Sequence, residues 1–276
     1  MIHIRRYGTA GPEVVVLHGG PGAPGHMAPV AKALADSFRV LEPFQRSSCS
    51  ERLTVAHHIA DLHEVVQSSC ESAHPALVGS SWGAMLALCY AAEHPQAAGA
   101  LALIGCGAFD GVSRTRMEGI LSDRMDENLK RQLERLTDEF VDPDERLKAR
   151  AELILPLYSY ALITSDQEIE SCDARAHQET WDDMMRLQDE GIYPAKFSCI
   201  KVPTLMLHGT FDPHPGRMIL SSLNSYLPQI EYHEWDQCGH YPWLERAAGE
   251  EFFSLLRGWL LRTAGFPSSG MTAGQE

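Results

Sequence analysis

The segment that most constrains this chain is Gly79-Ser80-Ser81-Trp82-Gly83, set between the apolar run Ala76-Leu77-Val78 and a helical pattern over Trp82–Glu93. A strand that passes into a helix within one residue forces that residue into a strained backbone and lifts its side chain clear of the sheet. Residues two positions to either side then approach each other closely, a steric demand met by glycine at 79 and 83. Ser81 is therefore the candidate nucleophile, and Ser80 lies one position off the turn. The helix that follows aims its partial positive charge at the same point, where an oxyanion would develop.

A serine hydroxyl needs a base to take its proton. The chain has 13 histidines, so position must choose among them. His240, in Cys238-Gly239-His240-Tyr241-Pro242-Trp243, follows the last expected strand and precedes the final helix. His57, His58 and His63 fall on a polar helical stretch, where surface placement is expected. A carboxylate must orient the base and stabilise its imidazolium. Asp212 follows the strand expected over Thr204–Leu207 and completes the order Ser81, Asp212, His240; Asp110 is the alternative acid or else a turn residue. His18-Gly19-Gly20-Pro21-Gly22 follows Val14–Leu17 and supplies a backbone that can approach a carbonyl oxygen closely. The N–H groups of Gly20 and Trp82 are the expected oxyanion hole, with His18 as a structural hydrogen-bonder. A phosphate-cradling loop would need Gly-Lys-Ser/Thr or G-x-G-x-x-G, and neither is present.

Short apolar runs over Ile2–Arg6, Val14–Leu17, Arg39–Glu42, Ala76–Val78, Ala100–Ile104, Thr204–Leu207 and Ile230–Glu234 read as strands. They alternate with helical patterns at Met27–Ala35, Thr54–Ser69, Trp82–Glu93, Arg217–Tyr226 and Ala247–Leu261. This alternation predicts an α/β protein with a mostly parallel sheet covered by helices on both faces. Residues 110–197 break the rhythm with three helical patterns, Arg124–Phe140, Asp144–Ile163 and Gln167–Gln188. They are expected to form a helical cap inserted in a core of residues 1–109 and 198–262, with 263–276 a disordered tail. Trp181, Met184 and Met185 give one cap helix an apolar side, which either seats the cap or lines a substrate pocket.

Composition narrows the rest. There are 23 Lys and Arg against 37 Asp and Glu, a formal charge of −14, which disfavours nucleic acid and anionic membrane surfaces. No run approaches the roughly 18 apolar residues of a membrane span. The seven cysteines are odd in number and never spaced Cys-x-x-Cys, as expected of reduced thiols in a cytoplasmic enzyme. Cys238 near His240 has no further metal ligands close by, so neither a metal nor a cofactor is expected.

His18-Gly19-Gly20-Pro21-Gly22 together with Gly79-Ser80-Ser81-Trp82-Gly83 resembles the proline iminopeptidase branch of the α/β-hydrolase superfamily, over residues 12–108 and 200–262. The resemblance implies an α/β-hydrolase fold and release of an N-terminal residue through an acyl-enzyme, with cap carboxylates holding the free amine. Three features depart from it. Phe44-Gln45-Arg46-Ser47-Ser48-Cys49 keeps only the Gln-Arg pair of that branch's Asp-Gln-Arg-Gly-x-Gly; Ser80 replaces a common glycine; and Glu179, Asp182, Asp183 and Glu190 match no amine-binding pattern. The expected activity is that of a serine hydrolase on a small-molecule or short-peptide ester or amide. An aminopeptidase and a small-molecule carboxylesterase stand as alternatives, beside a non-hydrolytic lyase or ligand-binding protein of the same fold.

Overall fold

A computed structural model describes residues 2–164 and 171–264. Seven strands, β1 (Ile4–Tyr7), β2 (Glu13–Leu17), β3 (Arg39–Pro43), β4 (Ala76–Ser80), β5 (Ala100–Ile104), β6 (Thr204–Gly209) and β7 (Ile230–Trp235), form one sheet in the order β1-β3-β2-β4-β5-β6-β7. Only β1 runs antiparallel, against β3; every other pairing is parallel. Seven strands with a single antiparallel edge are what the near-continuous Val, Leu and Ile runs require, since a central parallel strand is covered on both faces.

Alternation along β2 separates the two cores. Val14 and Val16 pack with α1 (Ala28–Leu34) and α9 (Gly249–Ala264), while Val15 and Leu17 face α2 (Val55–Ser69) and α3 (Trp82–Glu93). Helix α3 is buried from Trp82 to Ala92, as befits a segment apolar on every side. Because β2 and β4 are neighbours whose following helices depart to opposite faces, their carboxyl ends flank a crevice, the usual ligand position in such sheets. Leu17 pairs with Gly79, Ser80 with Ile104, and Ile104 with Leu207. That register brings the loops carrying Gly20, Ser81, Gly105, Asp212 and His240 to one edge of the sheet.

Between β5 and β6 lie four α-helices among the described residues, not three: α4 (Gly111–Arg124), α5 (Glu127–Glu139), α6 (Pro143–Tyr158) and α7 (Ala174–Asp189). Helix α4 escapes sequence reading because Gly111, Gly119 and a run of polar residues erase its periodicity. The pattern placed over Gln167–Gln188 starts late, at Ala174 under the Asp173 cap, and 167–170 lie outside the described residues. The last helix extends through Thr263 and Ala264, so the tail does not begin at 263; residues 265–276 lie outside the described residues. Helix α8 (Gly216–Asn224) completes the set. Among the described residues no helix is long and apolar enough to cross a membrane.

Candidate active site

Ser81 forms the turn between β4 and α3 with φ 53° and ψ −116°, a left-handed conformation that costs a non-glycine residue on the order of 1–3 kcal/mol. The surrounding contacts fix it. Its N–H donates to Ile104 O at 2.8 Å. A Cβ on Gly79 would fall 2.2 Å from Gly83 O, and one on Gly83 would fall 2.3 Å from Leu17 O. Both glycines are thus demanded by backbone approach, and the second also lets β2 lie against the turn.

The loop after β2 passes directly over Ser81. A Cβ on Gly19 would lie 2.9 Å from Ser81 Cβ and 2.8 Å from Ser80 O. Gly19 N–H donates to His26 Nε2 at 3.3 Å. Gly20, at φ +48°, directs its N–H to no backbone acceptor among the described residues, and neither does Trp82 at the first position of α3. Ser81 makes no side-chain cap of that helix. Two N–H groups close to the serine are thus left without a backbone acceptor among the described residues.

Gln45 and two buried histidines hold this loop. Gln45 N–H donates to His18 Nε2 at 3.0 Å, Gln45 Nε2 donates to His18 O at 2.9 Å, and Trp82 Nε1 donates to Gln45 Oε1 at 2.7 Å. His18 Nδ1 lies 3.0 Å from Gly19 O. Burial lowers His18 to about 4 and His26 to about 3, so both rings are neutral and hold backbone rather than protons. The adjoining Arg46 pairs with Asp61 on α2.

On the other flank, His240 Nδ1 lies 2.7 Å from Asp212 Oδ2, with both residues 3% exposed. Burial pushes the Asp212 carboxyl up, but His240 and then His214 outweigh it and hold the group well below the ordinary carboxylate range. His240 N–H donates to Tyr158 O at 2.7 Å, and the Tyr158 ring meets the imidazole edge-on at 5.5 Å. Gly105, at φ +53°, leaves room for the base: a Cβ there would fall 2.9 Å from His240 Cε1 and Nδ1. Ser81 and His240 thus rest on adjacent residues of one segment, the serine N–H on Ile104 O and the imidazole on Gly105. No hydrogen bond joins Ser81 Oγ to His240 in this structure. Asp212, His214 and His240 can bring donor atoms within 4.8 Å of one another, but their facing atoms are spent in mutual hydrogen bonds.

Other candidates are placed differently. Asp110 does not reach His240; it caps α4 by accepting from Ser113 N at 2.8 Å and Ser113 Oγ at 2.7 Å. His58 is not a surface residue: it is buried, lies 2.9 Å from Thr180 Oγ1, and meets Trp82 edge-on at 5.8 Å. Trp181 is half-buried and packs edge-on against Trp82 at 5.8 Å. Met184 has no exposed surface and belongs to the α2–α3 core, with Met185 packed partly against it.

Glu179, Asp182, Asp183 and Glu190, the cap acids weighed for amine binding, are all engaged. Glu179 accepts from Leu53 N at 2.8 Å and from Arg175 at 2.7 Å; Asp183 accepts from Val55 N at 2.8 Å and from Arg186 Nη2 at 2.8 Å. Asp182 pairs with Arg52 at 3.0 Å and Glu190 with Arg186 at 2.7 Å. Gln45, His26, His214, Tyr158 and Glu245 are site-forming residues that sequence reasoning missed. His214 lies only two positions after Asp212, and Gln45 stands in the retained Gln-Arg pair, so those two left a signal.

Fold and crevice together define an α/β hydrolase. The Alpha/beta hydrolase family model matches residues 14–253, and the chain belongs to that family. It is 29% identical to the 2-hydroxymuconate semialdehyde hydrolase of Pseudomonas sp. (strain CF600), covering 91% of this chain and 87% of that protein. It is 26% identical to the proline iminopeptidase of Lactobacillus helveticus (strain DPC 4571), covering 90% of each. Among solved structures, MenH from S. aureus superposes with a TM-score of 0.69 at 18% identity, over 96% of this chain and 100% of that one.

Proposed function

We propose that this chain is a serine hydrolase that transfers the acyl group of a small ester or amide to water through a covalent acyl-enzyme. The observation that carries the reading is the buried 2.7 Å contact between His240 and Asp212 beside a serine held at positive φ on a strand-to-helix turn. Ser81 Oγ attacks the carbonyl carbon as His240 Nε2 takes the hydroxyl proton, and Asp212 fixes the ring and stabilises the imidazolium. Gly20 and Trp82 N–H groups receive the oxyanion, each worth roughly 3–4 kcal/mol by deletion. His240 then returns the proton to the leaving group; water repeats the sequence and frees Ser81. The serine–imidazole contact closes on substrate binding, as catalytic hydrogen bonds that are long in the free enzyme commonly do.

Helices α4–α7 act as a cap, with Trp181 over Trp82 on the acyl side. Glu179, Asp182, Asp183 and Glu190 are already committed to backbone N–H groups or arginines, and Asp189 at the end of α7 lies 4.0 Å from Arg114 Nη2, which leaves little to hold a free amine. A carboxylester is therefore the favoured substrate class. Aminopeptidase action is the second reading, supported by 26% identity over 90% of the chain to a proline iminopeptidase. Short-chain nitrophenyl esters against aminoacyl arylamides separate the two. Ester turnover lost in Ser81→Ala supports the first reading; turnover confined to free-amine arylamides would replace it with the second.

A further inference from the structure

Asp212 serves two imidazoles, and only one of them belongs to the relay described above. Its Oδ2 takes His240 Nδ1 at 2.7 Å, while its Oδ1 takes both the backbone N–H of His214 at 2.9 Å and His214 Nδ1 at 3.0 Å. The backbone bond is a local turn that any residue but proline could make at 214. The ring bond needs a side chain with an N–H at that position, and Pro213 stiffens the backbone that presents it. The His214 ring also stacks on His240, with centroids 4.8 Å apart and planes 22° apart, and its side chain is only 12% exposed.

We propose that His214 is a positioning residue for the base: it occupies Asp212 Oδ1, so that His240 bonds Oδ2, and it braces the face of the catalytic imidazole. This rests on the reading of Asp212 and His240 as acid and base. A second donor on the carboxylate draws negative charge away from Oδ2, so His214 limits how strongly Asp212 favours the imidazolium form of the base. Removing that donor while keeping the ring should hold His240 protonated to higher pH.

The other groups facing the pair are quiet in the range that matters. His208, from β6, lies 3.3 Å from Asp212 Oδ2 and 3.1 Å from His214 O; it is fully buried and lowered to about 4. Tyr158, from α6, is 5.9 Å from His214 and raised by burial to about 12. Tyr232 on β7, Cys106 after β5 and Cys238 before His240 are all raised by burial, and Arg124 on α4 stays cationic although burial lowers it.

The test compares His214→Phe, which keeps a stacking ring without the donor, with His214→Asn, whose amide N–H takes the place of Nδ1–H. The rate of Ser81 modification by a fluorophosphonate, followed from pH 5 to 9, needs no knowledge of the natural substrate. In the Phe variant the acid limb is expected to move up by about half a unit to one unit, with a loss of roughly threefold to tenfold low on that limb. The Asn variant should return the limb to within about 0.3 units of wild type. A Phe variant with the wild-type limb and rate overturns the inference. Equal loss in both variants without any shift also overturns it, because packing alone would then explain the effect. Undiminished labelling of Ser81→Ala would instead remove the assignment of Ser81 on which the inference stands.

Discussion

Replacing Gln45 with leucine tests how the oxyanion donors are held. The side chain makes two bonds that leucine cannot, to His18 O at 2.9 Å and from Trp82 Nε1 at 2.7 Å. Trp82 has no exposed surface and His18 is equally buried, so water cannot replace either partner. A buried group left unpaired costs about 1–3 kcal/mol, giving about 2–4 kcal/mol for the pair after partial relaxation. For a domain of this size that is a fall in Tm of about 5–10 °C. The same two bonds tie His18, two residues before Gly20, to Trp82, so their loss lets the two proposed oxyanion donors drift apart. Misplacement by about 1 Å costs up to about 100-fold in rate, so kcat should fall about 10- to 100-fold while KM changes less. Differential scanning calorimetry and ester kinetics on purified Gln45→Leu and Gln45→Glu check this. The glutamate keeps the acceptor for Trp82 but sets a carboxylate oxygen against His18 O, so it should lower Tm and kcat as well. A leucine variant with unaltered Tm and kcat would refute the strut.

Gly105→Ala puts a methyl group 2.9 Å from the His240 ring on a residue at φ +53°, so kcat should drop by about 100-fold or more, and Tm should fall by an amount set by roughly 1–2 kcal/mol of backbone strain. Glu245, with no exposed surface, accepts from Tyr160 N and Ala161 N at 2.7 Å and Gly239 N at 3.0 Å. Glu245→Gln turns an amide donor against a backbone donor and should lower Tm by several degrees while loosening the His240 loop, read as a parallel loss in kcat. Acid should unfold the protein early. His18, His58 and His208 are lowered by burial to about 4 and His26 to about 3, whereas in the unfolded chain each takes a proton near 6.5. Between those values the unfolded state binds more protons, so stability is full above about pH 7 and falls as pH drops through 6.5 toward 4. Each ring contributes on the order of 2 kcal/mol to that loss by pH 5. Urea midpoints constant from pH 7 to 5 would contradict it.

Much of this was legible because steric necessity writes itself into sequence. A Cβ on Gly79 or Gly83 would fall 2.2–2.3 Å from a backbone oxygen, which leaves no alternative residue. The continuous apolar runs of β2 and β6 could only be central strands, and the element order then carried Ser81, Asp212 and His240 to one sheet edge. What stayed hidden depends on partners remote in sequence. His58 looks solvent-facing on its own helix and is buried only because Thr180 arrives from α7, 122 residues away. Asp183 and Glu179 read as free acids until Leu53 and Val55 present their N–H groups. Helix α4 lacks an apolar stripe, so its cap residue Asp110 could pass for a catalytic acid.

The central claim is that one hydroxyl, at the β4–α3 turn, is made nucleophilic by the imidazole after β7. Peptide mapping by mass spectrometry after fluorophosphonate treatment tests it most directly, using wild type, Ser81→Ala and His240→Ala. A single adduct on Ser81, absent from the alanine variant and slowed at least about 100-fold without His240, is the result the account predicts. An adduct on Ser80 or elsewhere, or one on Ser81 that forms equally fast without His240, would contradict it.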